Sequence, residues 1–231
     1  MSARDVAALA ALLADDTRAS FCLALLDGRA WTAGELARHA HVAPSTASEH
    51  LGKLVAGGLL AEERQGRHRY VRLADERVAH LVEELASHAA QEAGRPPQNL
   101  RAASARSAMA RGRTCYDHLA GRLGIAITGA MTARGLLRQD TGFALTVQGV
   151  DWFGELGLPL ERKGQRPLVR GCLDWTERKL HLAGTAGAEL CRHALDAGWC
   201  VRIGSERAVK VTADGERALA ELLGIDPEIL R

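Results

Sequence analysis

Apolar residues recur at helical spacing along most of the chain, and Gly, Pro or a polar cluster marks each place where the period breaks. Val6, Leu9, Leu12 and Leu13 form one stripe, after which Asp15-Asp16 opens a second helix carrying Phe21, Leu23, Leu25 and Leu26 as far as Gly28. Thr32 with Glu35 three residues on is a capping box for a third helix over Glu35 to Ala40. A turn is predicted at His41 to Ala43, then a further helix from Pro44 to about Ala56, where Gly57-Gly58 stops it. In that helix Ala47, Leu51, Leu54 and Val55 share one face, so Ser45, Ser48, Glu49, Gly52 and Lys53 point the other way.

After the glycines the period changes. LLAEER and HRYVRL read as two short strands joined by a Gln65-Gly66-Arg67 turn, with Gly66 free to take the positive φ of a tight hairpin. Arg64, Arg67, His68 and Arg69 crowd its tip. Guanidinium groups on a protruding ribbon suit phosphate oxygens or a narrow minor groove, and a helix-turn-helix with a basic wing points to duplex DNA.

Beyond the wing, DERVAHLVEELASHAAQEA predicts a long amphipathic helix with Val78, Leu81, Val82 and Leu85 on one face. Gly94-Arg95-Pro96-Pro97-Gln98-Asn99 breaks it and reads as a linker over 94–100. The second half then repeats itself. HLAGRLGIAITGAMTARGLL from His118 matches HLAGTAGAELCRHALDAGWC from His181; each runs on to a β-like stretch ending in Thr (FALT, VKVT), a Gly three residues later, and a closing helix. The expected architecture is mainly α with small β-hairpin wings. It comprises a winged helix-turn-helix domain over 1–93 and a C-terminal sensing or dimer-shaping domain over 101–231, built of two degenerate winged-helix-like repeats, about 115–160 and 172–226.

Length and composition agree with two soluble domains. The chain has 231 residues, 47% hydrophobic and 25% charged. With 30 basic against 28 acidic residues the net charge is only +2, so a nucleic-acid partner has to be argued from local clustering. No stretch approaches the ~18 apolar residues of a membrane span. The Ala/Leu run near the start, interrupted early by Asp5, lacks the context of a secretory signal. Five cysteines (Cys22, Cys115, Cys172, Cys191, Cys200), an odd number, then point to reduced thiols and a cytoplasmic location.

The run PSTASEHLGKLVAGGLL followed by ERQGRHRYVRL resembles the arsenic-repressor (ArsR/SmtB) family of winged-helix regulators, over roughly residues 4 to 93. The resemblance implies a recognition helix carrying Ser45, Thr46, Ser48, Glu49 and His50, a wing carrying Arg67 and Arg69, and a homodimer built from the first and the long helices. Ala43 stands where a Ser would usually cap the recognition helix. The family's usual metal positions are poorly kept. WTAGELARHA has no cysteine, and on the long helix Asp75, Arg77, His88 and Gln91 leave two of four ligands, since Arg cannot ligate.

The repeat carries its own chemistry. Thr114-Cys115-Tyr116-Asp117-His118 corresponds to Gly171-Cys172-Leu173-Asp174 and then His181, so both copies offer Cys-x-Asp and a His before Leu-Ala-Gly. Read as a helix, Cys115 and His118 at i, i+3 face one ion. If the copies pack about a pseudo-two-fold axis, Cys115, His118, Cys172 and His181 converge into one tetrahedral site for a thiophilic metal or metalloid ion. The competing reading is that a repeated Cys fills the same small hole twice, and that each His bonds a carbonyl. Cys191 and His193, at i and i+2, point apart.

The leading expectation is a dimeric DNA-binding transcriptional regulator, a repressor released or remodelled by a small effector, and not an enzyme. Recognition-helix hydroxyls and Glu49 would read base edges, while Lys53, Arg64, Arg67 and Arg69 would neutralise phosphates. Two alternatives stand beside it: a zinc- or thiol-dependent enzyme in the second half, and a winged-helix protein-interaction adaptor. Trp31, Trp152, Trp175 and Trp199 also allow an apolar pocket for an organic effector.

Overall fold

The structure, a computed structural model, describes residues 2–66, 68–92, 99–140, 142–161, 166–204 and 207–230. The chain divides into two compact units, 1–86 and 87–231. Among the described residues no helix is long and apolar enough to cross a membrane.

The first unit is a winged helix-turn-helix. Its elements are α1 (Ala3–Leu13), α2 (Asp16–Leu25), β1 (Trp31–Thr32), α3 (Ala33–His39), α4 (Pro44–Ala56), β2 (Leu60–Gln65), β3 (His68–Leu73) and the start of α5 (Glu76–Glu92). Side chains close the helix starts. Ser2 and Asp5 form a capping box on α1, Asp15 caps α2 through Arg18 N–H, and Thr32 with Glu35 forms the expected capping box on α3. The three strands make a sheet of order β1-β3-β2, with Trp31 opposite Val71 and Leu60 opposite Leu73. Asp27 is buried at the turn into β1, where its carboxylate accepts from Arg29 Nε at 2.6 Å and Trp31 Nε1 at 2.9 Å. Phe21, Leu25, Leu26, Leu36, Ala47, Leu51, Leu54 and Val71 form the core, whereas Leu23 is exposed and the α1 stripe of Val6, Leu9, Leu12 and Leu13 is not buried.

The second unit contains the rest of α5, α6 (Leu100–Arg111) and two consecutive copies of hairpin, helix, hairpin, helix. The first copy is β4 (Arg113–Cys115), β5 (His118–Ala120), α7 (Gly121–Ala133), β6 (Leu137–Arg138), β7 (Ala144–Leu145) and α8 (Val147–Glu155). The second is β8 (Arg170–Leu173), β9 (Leu180–Ala183), α9 (Gly184–Asp196), β10 (Cys200–Arg202), β11 (Val209–Val211) and α10 (Ala213–Leu223), closed by a 3-10 turn over Pro227–Leu230. The matching Thr-x-x-Gly sequences do the same job in each. Thr146 and Thr212 cap the closing helices, accept from Gly149 N–H and Gly215 N–H, and donate to the carbonyls of Gly135 and Gly198. Helix α6 was not anticipated from the sequence. Apart from Leu100 and Met109 its apolar residues are alanines, and none is buried, so no stripe announces it.

The two copies share one core. Leu119, Leu123, Ile127 and Met131 from the first interleave with Leu182, Ala186, Leu190 and Ala194 from the second. Each leading hairpin also packs on the helix of the other copy, β5 on α9 and β9 on α7. Thr128 in α7 accepts a hydrogen bond from Leu182 N–H in β9 at 2.9 Å. The residues read as a linker lie, apart from Asn99 and Leu100, outside the described residues; Asn99 caps α6.

Candidate functional site

Two places in the molecule carry chemistry. The first is the outer face of α4 with the neighbouring hairpin. Ala47, Leu51 and Leu54 anchor α4, leaving Ser45, Ser48, Glu49 and Lys53 exposed and Thr46 half-buried. Ala43 at the N-cap makes no side-chain bond, and Pro44 occupies the first turn. Lys53 Nζ donates to Glu49 Oε1 at 2.7 Å, one turn away, which lowers the Glu49 carboxyl from its ordinary range. His50, on the same helix, is half-buried. It follows Ala47 by three and precedes Leu54 by four, a row that borders the buried stripe. Its Nδ1 therefore lies 3.5 Å from Asp15 Oδ1 and 3.3 Å from Arg18 Nη1, bracing α4 against α2 and withdrawn from the open face.

On the wing, Gly66 takes φ 59° and Gln65 pairs with His68, which sets a two-residue loop. Arg67 lies outside the described residues. Arg64 is exposed and stands directly opposite Arg69 in register. The Arg69 guanidinium turns back to Glu62, with Nε donating to Oε2 at 2.7 Å, so the acid offsets two facing cations.

The second place is buried. Cys115, His118, Cys172 and His181 each offer one ligand atom, and these atoms all lie within 4.8 Å of one another. The structure corrects the helical reading of Cys115 and His118. They are a cross-strand pair closing a two-residue hairpin loop in which Tyr116 takes φ 59°. Cys172 and His181 form the same pair across β8 and β9, where the loop is longer. A Cys-x-x-His spacing fits one helical turn and a tight hairpin equally well; three-residue strands leave too short an alternation to choose.

Sγ of Cys115 and Sγ of Cys172 stand 3.8 Å apart, and the two imidazoles stack at 5.0 Å between centroids with planes inclined by 29°. The close approach depends on small residues. A Cβ on Gly124 would lie 2.3 Å from the Leu119 carbonyl oxygen and 3.6 Å from His181 Cβ. One on Gly187 would lie 2.6 Å from the Leu182 carbonyl oxygen and 3.2 Å from His118 Cβ. Both glycines fall at matching positions of the repeat, and the reciprocal contact marks a pseudo-two-fold axis through the cluster.

Each histidine has a carboxylate behind it. His118 Nδ1 is 3.4 Å from Asp117 Oδ1, and His181 Nδ1 is 3.7 Å from Asp174 Oδ2. Arg166 clasps Asp117 with two bonds of 2.7 and 3.1 Å, and buried Arg113 donates to Asp174 at 2.9 Å. Asp174 also accepts from Gly121 N–H at 2.6 Å, and from the N–H and hydroxyl of Thr176. Burial would raise its carboxyl, but Arg113 and these donors hold it well below the usual range. Burial likewise presses His118 downward, yet the facing Cys115 sulfur and Asp117 carboxylate outweigh it and push the imidazole up to about 9. By contrast, burial pushes the thiols of Cys22, Cys191 and Cys200 up to about 12, which leaves them as packing.

The tryptophans do not meet in one pocket. Trp152 packs edge-on against Phe153, Trp199 against His193, and Trp175 lies under the Arg113 guanidinium at 4.7 Å. A cavity of about 250 Å³ in the second unit is lined by Arg111, Ile203, Val209 and Leu230 among others, with no tryptophan. On the long helix, Arg77 Nε pairs with Asp75 at 3.6 Å.

Residues 13–63 match the family model described as a helix-turn-helix domain. The chain is 39% identical over 224 residues to the HTH-type transcriptional regulator YdfF of Bacillus subtilis (strain 168), covering 96% of this chain and 98% of that protein. The chain belongs to the ArsR/SmtB-type family of HTH transcriptional regulators. Within the family it is also 41% identical over 59 residues to the HTH-type transcriptional repressor SmtB of Mycobacterium tuberculosis, which covers 26% of this chain and 44% of that one. Among solved structures, the winged helix-turn-helix DNA-binding domain Mb0332 of Mycobacterium bovis covers 40% of the chain at 30% identity and TM-score 0.35. The cadmium metal-sensor CMTR of M. tuberculosis covers 35% at 39% identity and TM-score 0.29.

Proposed function

We propose that this transcriptional regulator is a dimeric, sequence-specific repressor whose DNA affinity is set by a small effector. The observation that carries the reading is the bare, hydroxyl-bearing face of α4 beside the Arg64 hairpin. Ser45, Thr46, Ser48 and Glu49 would address base edges, and Lys53, Arg64, Arg67, His68 and Arg69 the phosphates. His50 is left out of that set, since it is engaged with Asp15 and Arg18.

Exposed apolar residues on the first and the long helices support a dimer. Val6 is 54% exposed, Leu9 37% and Leu85 48%, and a two-fold partner would cover them. Two copies are needed to set two recognition helices about one DNA turn apart. An effector, whether a metal or metalloid ion, a thiol-reactive compound or an organic ligand, would act by binding two dimer geometries unequally. Footprinting on the promoter beside the protein's own gene tests this. Protection of two symmetric half-sites centred about 10 base pairs apart or a multiple of that is expected. Protection that follows no sequence preference, or a single isolated half-site, contradicts the reading. Repeating the footprint with arsenite, zinc, copper and peroxide identifies the effector class.

A further inference from the structure

We infer that Cys115, His118, Cys172 and His181 form a closed, four-coordinate site for a zinc-type divalent ion, which clasps the two copies of the second unit together. The site is independent of the DNA-reading face, and its test uses no DNA.

Two thiolates bound to zinc at about 2.3 Å in a tetrahedron lie about 3.8 Å apart. The two sulfurs here stand 3.8 Å apart, well beyond the roughly 2.05 Å of a disulfide and matched to that tetrahedral edge. All four ligand atoms fit within 4.8 Å, and all four residues are buried. Each copy contributes one thiol and one imidazole from one cross-strand pair.

The imidazoles give the second observation. His118 Nε2 and both ring nitrogens of His181 are buried and make no hydrogen bond. A buried imidazole nitrogen without a partner is destabilising, and a cation bound at one nitrogen of each ring removes that cost there. On the far side, Asp117 and Asp174 face the Nδ1 atoms at 3.4 and 3.7 Å, the carboxylate–histidine arrangement that orients metal-bound imidazoles. The arginines behind those carboxylates hold them in place.

Charge selects the ion. Two thiolates and two neutral imidazoles carry two negative charges, so a divalent ion makes the cluster neutral, whereas a monovalent ion would leave a buried net charge. The Arg–Asp pairs around it are neutral already. Soft sulfur with borderline nitrogen in a tetrahedral cage suits zinc, and four protein ligands leave no position for substrate or water. Binding forms two Zn–S and two Zn–N bonds and releases to solvent the protons carried by the thiols and by the His118 imidazole, which leaves two thiolates and two neutral imidazoles. Because the ligands come half from each copy, the site exists only when the copies are packed, and the ion stabilises that packing.

The experiment is metal analysis of the full chain purified in reductant and dialysed against buffered zinc, followed by cobalt substitution. Wild type is expected to hold about one zinc per chain, and the cobalt form to show intense visible d–d bands of a tetrahedral site with a sulfur-to-cobalt charge-transfer band. Cys115→Ser with Cys172→Ser should bring zinc below a tenth of the wild-type content, while Cys200→Ala keeps it. Should the double variant fold poorly, His181→Cys provides the check: it retains four ligands, so zinc stays and the charge-transfer band grows with the third thiolate. Wild type taking up less than a tenth of an equivalent, weak octahedral cobalt bands, full retention by the double variant, or a Cys115–Cys172 disulfide persisting in reductant would each overturn the site.

Discussion

Arg113 and Asp174 meet at 2.9 Å between the two copies of the second unit, with neither side chain reaching solvent. Arg113 also donates to the Met109 carbonyl and lies over Trp175, while Asp174 receives the first N–H of α7. Removing one partner strands a buried charge. Arg113→Ala is therefore expected to lower the stability of the second unit by about 3–5 kcal/mol, read as a shift of its urea midpoint. Exposed Arg192, paired with Glu189 and Asp196 on one helix surface, is the comparison: Arg192→Ala should leave the midpoint where it was.

Helix α7 offers a paired test of the close approach at the Cys/His cluster. Gly124 has no room for a methyl group, since its Cβ would lie 2.3 Å from a backbone oxygen, whereas Gly129 meets nothing within 4 Å. Gly124→Ala should destabilise the second unit by about 1–3 kcal/mol through overpacking. Gly129→Ala should stabilise it by about 0.5–1 kcal/mol, because Ala is the better helix former. Thermal melts that rank the two variants the other way would contradict the packing described.

The uncapped start of α4 invites a gain. Ala43 has φ −64° and ψ 148°, a backbone that a capping Ser adopts without strain. Ala43→Ser is expected to raise the stability of the first unit by about 1 kcal/mol by satisfying one N–H of the first turn. Calorimetry of the variant checks this, and an unchanged or lowered melting temperature would show that this N-terminus is already satisfied.

Glu62 engages the Arg69 guanidinium on the wing. Glu62→Gln removes that ion pair and one negative charge from the wing. Tighter binding to duplex DNA is expected at low salt, with the advantage shrinking as salt rises. Equal affinity at all salt concentrations would remove Arg69 from the phosphate contacts.

Much of this was legible in the sequence. The α4 stripe of Ala47, Leu51 and Leu54, the Gly57-Gly58 stop and the positive φ at Gly66 follow from period and turn chemistry, which act locally. His50 lies on α4 as expected, and its spacing from Ala47 and Leu54 sets it beside the buried stripe, where it meets Asp15 and Arg18. The duplicated Cys and His were visible as a repeat, but their strands were not, being only three or four residues long. Behind the cluster, Asp117 and Asp174 were legible as the repeated Cys-x-Asp, but the arginines that hold them were not. Arg113 and Arg166 reach it through contacts 61 and 49 residues away in sequence, which no local pattern encodes. One signal was available. His-Leu-Ala-Gly-x-x-Gly occurs in both copies, and its second glycine, Gly124 or Gly187, is where each copy receives the histidine of the other.

The α4 face and the wing are proposed to bind duplex DNA through phosphate contacts. Fluorescence anisotropy of a labelled operator, titrated between about 50 and 200 mM salt, tests it most directly. Affinity should fall steeply and linearly in log–log form, and Arg64→Ala should weaken binding and reduce the slope by about one. Affinity indifferent to salt, or a slope unchanged in Arg64→Ala combined with Lys53→Ala, would contradict the account.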